Sequence, residues 1–136
     1  MDTRTSPTPG VLPPVPHNGL RDLLDQAEQH TTQAAWGEAL ACYFQALAQM
    51  PLDPSHDSMR AMCQLQIGTC LVLLGQPTTA IPVLRVAASA VEGAEDIETM
   101  ARLQEMLASA YWQRGQTDLA RICFVRARYC WQARRA

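Results

Sequence analysis

Apolar and polar residues follow a helical period from residue 18 to the C-terminus of this 136-residue chain. Leucines, alanines and other apolar residues recur every three or four positions, a spacing that places them on one face of an α-helix. Short polar or glycine-containing stretches separate six such segments. The pattern therefore predicts an all-α fold with helices at about 19–33, 36–49, 57–74, 78–91, 96–113 and 117–133.

Residues that begin and end helices stand at these boundaries. Four side chains whose oxygen accepts hydrogen bonds from free backbone N–H groups are expected as N-caps: Asn18, Asp57, Asp96 and Thr117. Gly75 and Gly115 are expected to adopt the left-handed conformation that ends a helix, since glycine has no Cβ to oppose it. Pro82 fits the fourth helix only if that helix starts near Thr78 or Thr79, so that the missing N–H falls in the first turn.

The first 17 residues differ in composition from the rest of the chain. They contain five prolines and one glycine, which exclude a helix or a packed strand and favour a flexible, partly polyproline-II segment. Residues 12–16 include a P-x-x-P pair of the kind that SH3 domains bind, but Arg4 is too distant to supply the usual flanking charge. We therefore predict a flexible tail at 1–17 and one helical domain at 18–136.

Composition and charge narrow the possible functions. A formal net charge of −2 gives no overall electrostatic attraction for nucleic acid. No apolar run approaches the roughly 18 residues of a transmembrane helix. The N-terminus lacks the charged-then-apolar layout of a secretory signal. We expect a cytoplasmic protein without a membrane span.

The cysteines fit a helical core better than a metal or redox site. They number five, and no two have C-x-x-C spacing. Cys63 and Cys70 are seven residues apart, as are Cys123 and Cys130, which places each pair on one helix face two turns apart. We interpret them as reduced, mostly buried thiols, in keeping with a cytoplasmic location.

The sequence contains no pattern typical of catalysis or cofactor binding. It has no glycine-rich phosphate loop, no His-x-x-x-His pair and no nucleophile with a base at a readable spacing. Asp22 and Asp25 stand at a helix start, where the helix dipole favours acidic side chains. We predict a protein that is not an enzyme and that binds no metal or cofactor.

Internal repetition is the strongest signal in the chain. Ala39, Ala80 and Ala120 lie 41 and 40 residues apart. Each is followed by a large residue after four positions and an alanine after seven, and preceded by a small residue five positions earlier. These preceding small residues are Ala34, Gly75 and Gly115. Because small residues let two antiparallel helices approach closely, we expect three helix pairs, at about 19–49, 57–91 and 96–133.

The repeat resembles the tetratricopeptide repeat (TPR) over residues 20–133. Three segments carry the TPR arrangement of small and large residues: 36–47, 68–80 and 108–120. The first helix of the first pair departs from it, with Gln26, Ala27 and His30 in place of larger apolar residues. The spacing also exceeds the usual TPR period of about 34 residues. The resemblance implies three pairs stacked as a right-handed superhelix.

The same resemblance implies where a partner binds. In TPR proteins the first helix of each pair lines the concave face, which holds a peptide. The equivalent residues here are Leu24, Glu28, Met62, Leu65, Thr69, Val72, Arg102, Glu105, Ser109 and Trp112. Their apolar middle and polar ends suit an amphipathic helix or an extended segment with apolar anchors. The C-terminal carboxylate of a heat-shock chaperone, which some TPR domains bind, is not expected because Glu28 would repel it.

The last helix predicts a second contact surface. Residues 114–136 contain six of the eleven arginines and a single acid, Asp118. Apolar residues there have no following helix to cover them, and exposed apolar patches usually mark interfaces. Phe124, Arg128 and Trp131 are the expected contacts, either for a second copy of the chain or for another protein. Nucleic acid is not an expected partner, because the basic run lacks a recognised binding motif.

In size and layout the chain is also similar to the small TPR chaperones of bacterial type III secretion. Residues 67–76, with Ala80 and Ile81, resemble the second repeat of the translocator chaperones. This resemblance implies a cytoplasmic protein that holds an export substrate or an apparatus subunit unassembled. The repeat spacing also resembles that of signalling scaffolds and some transcriptional regulators. A scaffold or regulatory adaptor that acts through oligomerisation is therefore the alternative.

Overall fold

A computed structural model describes residues 19–93 and 96–135. Within these ranges the chain forms six α-helices and no strand, which confirms the all-α prediction. The helices are α1 (Gly19–Thr32), α2 (Trp36–Gln49), α3 (Asp57–Leu73), α4 (Pro77–Val91), α5 (Ile97–Gln113) and α6 (Thr117–Arg135), with a 3₁₀ turn at Pro54–His56. Each predicted boundary lies within two residues of the observed one. The predicted tail at 1–17 and the predicted cap Asn18 lie outside the described residues.

The second and third helix pairs turn through the same hydrogen-bonded motif. Gly75 has φ +75°, and the N–H of Gln76 donates to the Leu71 carbonyl at 2.8 Å. Gly115 also has φ +75°, and the N–H of Gln116 donates to the Tyr111 carbonyl at 2.9 Å. This is the Schellman ending, in which a left-handed residue lets two free carbonyls of the last turn be satisfied. The predicted roles of both glycines are confirmed.

The first pair uses the same turn without a glycine. Ala34, which the repeat aligns with Gly75 and Gly115, has φ +57°. The N–H of Ala35 donates to the His30 carbonyl at 2.8 Å, as the motif requires. The left-handed conformation brings the Cβ of an L-residue close to a backbone oxygen, so this alanine is strained where glycine would not be.

The helix starts agree only in part with the predicted caps. Asp96 accepts a hydrogen bond from the Thr99 N–H at 3.0 Å, which confirms it as an N-cap. Asp57 and Thr117 are instead the first residues of α3 and α6, so their prediction as caps is wrong. The cause at α3 is the preceding 3₁₀ turn, which leads into the helix one residue early.

Pro82 lies further into its helix than predicted. Helix α4 begins at Pro77, so Pro82 is its sixth residue and lies beyond the first turn. It therefore removes one backbone hydrogen bond from the helix. Its side chain is exposed, so the ring does not disturb the core.

Consecutive helices pack against one another, and α3 also packs against α5. By contrast, no Cα atom of α1 lies within 8 Å of one in α3. The repeated alanines lie where helices meet: Ala39, Ala80 and Ala120 are at most 1% exposed. Gly68 lies so close to the Leu84 side chain that an added Cβ would collide with it. The helices thus approach closely within the second pair but leave an opening between α1 and α3.

The cysteines belong to this core or to its edge. Cys63, Cys70 and Cys123 are buried, whereas Cys42 and Cys130 are half-buried, and all five are free thiols. Burial raises the pKa of Cys63 to about 11, and it also raises the pKa of Cys70 and Cys123. A raised thiol pKa keeps these groups protonated and unreactive at neutral pH.

Candidate functional site

The opening between α1 and α3 is a cleft of about 450 Å³, called here the N-terminal cleft. It is lined by Leu24, Glu28, Thr31, Thr32, Tyr43, Met59, Met62, Cys63 and Gln66. Three of these are predicted contact residues: Leu24, half-buried, and Glu28, exposed, on α1, and Met62, exposed, on α3. The cleft forms because α1 and α3 both pack on α2 while no Cα atom of one lies within 8 Å of the other.

Apolar side chains dominate the inside of the N-terminal cleft. Tyr43 of α2 is 7% exposed, and burial raises the pKa of its phenol, an effect that the neighbouring Thr31 side chain partly opposes. Met59 and Met62 are 40% and 37% exposed, large fractions for apolar side chains. Methionine is flexible and polarisable, so it adapts to differently shaped apolar partners. The cleft can therefore accept an apolar side chain of a bound polypeptide.

A second hollow of about 430 Å³, the central depression, lies between α3 and α5. Its lining is Leu65, Gln66, Thr69, Arg102, Glu105, Met106 and Trp131. Gln66 lines both hollows, so the N-terminal cleft and the central depression adjoin. We call the two together the concave groove.

Charged side chains of both signs surround the central depression. Arg102 pairs with Glu98 at 2.9 Å, and Arg134 approaches the other oxygen of the same carboxylate at 3.4 Å. The indole N–H of Trp131 donates to Glu105 at 3.2 Å, and the Arg134 guanidinium lies 5.8 Å from the Trp131 ring centre. The end of α6 is thereby tied to the start of α5. These exposed pairs give the depression a polar rim.

Two threonine hydroxyls, one in each hollow of the groove, bond within their own helices. Thr31 donates to the Ala27 carbonyl at 2.8 Å, and Thr69 donates to the Leu65 carbonyl at the same distance. Each hydroxyl proton is therefore used within its own helix. The hydroxyl oxygen can still accept a hydrogen bond from a ligand.

A third hollow of about 390 Å³, the end pocket, lies between the end of α5 and α6. Trp112 contributes the largest side chain and is 64% exposed. Phe124 and Val125, 52% and 48% exposed, form its other apolar surface. Arg121 and Arg128 complete the rim. The end pocket is therefore an exposed apolar surface flanked by positive charge.

The structure divides the predicted contact residues among these three hollows. Leu24, Glu28 and Met62 line the N-terminal cleft, while Leu65, Thr69, Arg102 and Glu105 line the central depression. The predicted C-terminal residue Trp131 joins that depression, whereas Phe124 and Arg128 share the end pocket with Trp112.

Three predicted groove residues present little surface to a partner. Leu65 and Val72 are 3% and 4% exposed because α3 packs directly on α5. The Val72 carbonyl accepts a hydrogen bond from the Gln113 side chain at 3.1 Å. Ser109 is half-buried and lines none of the three hollows. Leu65 and Val72 therefore support the groove from within more than they contact a ligand.

Sequence reasoning missed several residues of the concave groove. Met59 and Gln66 lie one helical turn before and after Met62, on the same face of α3. That spacing is a usable signal for both. Met106 likewise lies one helical turn after the predicted Arg102 on α5. Tyr43 carries no such signal, because it belongs to α2, from which no groove residue was predicted.

The described residues contain no group of three or more His, Cys, Asp or Glu side chains that could hold a metal ion. Among the helices of residues 19–93 and 96–135, none is both long and apolar enough to cross a membrane. Comparisons with protein-family models, with curated proteins and with solved structures find no match to this chain.

Proposed function

We propose that the chain is a TPR-type protein-binding module that holds a partner polypeptide in the concave groove. The open N-terminal cleft carries this proposal, because α1 and α3 stand apart and expose Met59 and Met62 between them. Two methionines partly open to solvent on one helix face are typical of surfaces that bind apolar anchors of variable shape. The sequential packing of the six helices supports stacked helix pairs as the framework.

The chemistry of the groove selects the kind of partner. An apolar anchor would enter the N-terminal cleft, next to Met62. Polar and charged residues of the same segment would then reach Arg102 and Glu105 in the central depression. An amphipathic helix or an extended segment with spaced apolar residues meets both requirements.

Within this class, we favour a small cytoplasmic chaperone like those of type III secretion, which hold a subunit before export. Such a chaperone covers apolar surface of its client, and the groove of this chain offers matching apolar surface at Leu24, Met59 and Met62. The similarity in size, layout and second-repeat residues supports this choice.

Co-purification followed by mass spectrometry tests the proposal. Tagged protein from its own cells should retain one polypeptide in near-stoichiometric amount. Met62→Glu places a charge in the apolar cleft and should weaken retention by at least about tenfold, as expected for an uncompensated charge at an apolar contact. Val86→Glu is the matched control, since Val86 is exposed on α4 and lines none of the three hollows. Equal loss in both variants, or loss in neither, would contradict the proposal.

A scaffold that acts through oligomerisation is the second candidate, and the end pocket favours it. Phe124 and Val125 are about half exposed beside Trp112, an arrangement typical of an interface. Light scattering after size exclusion measures the mass directly. A dimer that Phe124→Glu converts to a monomer would support a homodimer through this surface, whereas a monomer at all concentrations would exclude it.

A further inference from the structure

A fourth hollow lies away from the concave groove and adjoins the end pocket, with which it shares Val125. It runs along α5 between α4 and α6 and has a volume of about 940 Å³. Its floor extends from Met100 to Tyr111, and its walls include Arg85 on α4 and Ile122 on α6. We call it the rear groove. At about 1.5 Å per helical residue its floor is about 16 Å long, the reach of roughly five residues of extended chain at about 3.3 Å each.

A buried carboxamide in the floor of the rear groove lacks hydrogen-bond partners. Gln104 is 6% exposed, and its Oε1 atom has no partner. Its Nε2 atom donates only to the Met100 sulfur at 3.5 Å, a weak acceptor. Exchanging the two atoms by rotation about the last side-chain bond would leave the amide nitrogen unpaired instead. A buried polar atom without a partner is costly, so a group that pairs with this carboxamide is favoured.

The carboxamide of Gln104 has the donor and acceptor of a peptide unit. It can therefore pair with one N–H and one C=O of an extended backbone, whereas a helix has already used these groups internally. Leu119, Ile122 and Tyr129 on the α6 wall are 41%, 47% and 72% exposed, so apolar side chains of the same segment would find contacts there. An extended segment fits this chemistry better than a helix.

The charges lining the rear groove indicate the charge of the segment that would bind there. Arg85 and Arg126 line opposite walls, and neither lies within 4.0 Å of a carboxylate among the described residues. Glu92 is the only acid among the lining residues. A second copy docked by two-fold symmetry on this groove would bring two more arginines to the two already present, which opposes self-association here. An acidic segment from another polypeptide is complementary.

We propose that the rear groove is a second binding site, separate from the concave groove, for an extended acidic peptide segment with apolar residues on either side of its acids. The segment pairs its backbone with Gln104 and its carboxylates with Arg85 and Arg126. The chain would then hold a client at two surfaces or hold two different polypeptides.

NMR titration of the isotope-labelled chain tests the site with two synthetic probes. The first is the peptide acetyl-Leu-Asp-Val-Glu-Leu-amide, and the second has lysine in place of both acids. The acidic probe should perturb the signals of Gln104 and of residues around Ile122, while the lysine probe should leave them unchanged. The acidic probe should also slow alkylation of Cys130, which lines the rear groove. It should not slow alkylation of Cys42, which does not line that groove.

Variants distinguish the contribution of the Gln104 carboxamide to binding from that of the apolar contacts. Gln104→Met keeps the length of the side chain and removes its unpaired oxygen, so the fold should be retained while affinity for the acidic probe falls about threefold to tenfold. Arg126→Gln should weaken binding of the acidic probe and leave the signals seen with the lysine probe unchanged. Equal perturbation by both probes, perturbation confined to the concave groove or end pocket, no perturbation at all, or unchanged affinity in Gln104→Met would each overturn the proposal. Because none of these outcomes involves Met62, failure here leaves the concave groove to be judged on its own test.

Discussion

The strained turn at Ala34 makes a prediction whose sign is unusual: replacement by glycine should stabilise the protein. Ala34 has φ +57° and stands where the second and third pairs have glycine. The left-handed conformation costs an L-residue roughly 1–2 kcal/mol, and glycine avoids this cost while losing somewhat more entropy on folding. Since Ala34 is exposed, removing its methyl group sacrifices little buried surface. The net gain for Ala34→Gly should be about 1 kcal/mol.

Urea and thermal unfolding followed by far-UV circular dichroism measure this gain. A change of about 1 kcal/mol in a domain of this size should raise Tm by roughly 4 °C. Ala41→Gly is the matched control: it is the same substitution at an exposed position inside α2. It should destabilise by about 1 kcal/mol, because glycine is a poor helix former.

The opposite substitution, alanine for glycine, can be made at the equivalent turn of the second pair. Gly75 has φ +75°, and an added Cβ would meet no atom within 4 Å, so Gly75→Ala should cost only the conformational strain, about 1 kcal/mol. If Ala34→Gly destabilised the protein as Ala41→Gly does, the left-handed turn of the first pair, and with it the equivalence of the three turns, would be refuted.

Three further predictions concern the core and its cysteines. Gly68→Ala should destabilise by about 1–3 kcal/mol, because the new Cβ would collide with the fully buried Leu84 side chain; adding Leu84→Ala should recover part of that loss in a double-mutant cycle of urea unfolding. Native-state alkylation should modify the half-buried Cys42 and Cys130 first and Cys63 only after unfolding. The raised pKa of about 11 for Cys63, against 9.0 when exposed, means that the unfolded chain ionises first. Stability should therefore be fully present below about pH 9 and fall by up to about 1.4 kcal/mol per pH unit between about 9 and 11, and Cys63→Ala should reduce that slope.

The helices and turns could be predicted from the sequence because their causes are local. The three-to-four-residue period fixes helix positions, and the aligned Ala34, Gly75 and Gly115 mark the turns. The start of α3 at residue 57 was predicted correctly. The cap was mispredicted, because a 3₁₀ turn, which has no strong local signal, leads into the helix and makes Asp57 its first residue.

The candidate site depends on how the helices are spaced, which periodicity does not determine. Leu65 and Val72 were expected on an open face, but close packing of α3 on α5 buries them. The wide separation of α1 from α3 instead opens the side where Met59 and Tyr43 lie. Trp131 joins the central depression because α6 continues to Arg135 and returns along the start of α5.

Site-specific photo-cross-linking tests the central claim, that the concave groove holds a polypeptide, most directly. A benzophenone side chain at Gln66 would stand where the N-terminal cleft meets the central depression. The same group at Val86 on α4 serves as the control. A covalent adduct between one partner polypeptide and the Gln66 probe, absent with the Val86 probe, is the predicted result. Adducts of equal yield from both positions, or an adduct from Val86 alone, would contradict the claim.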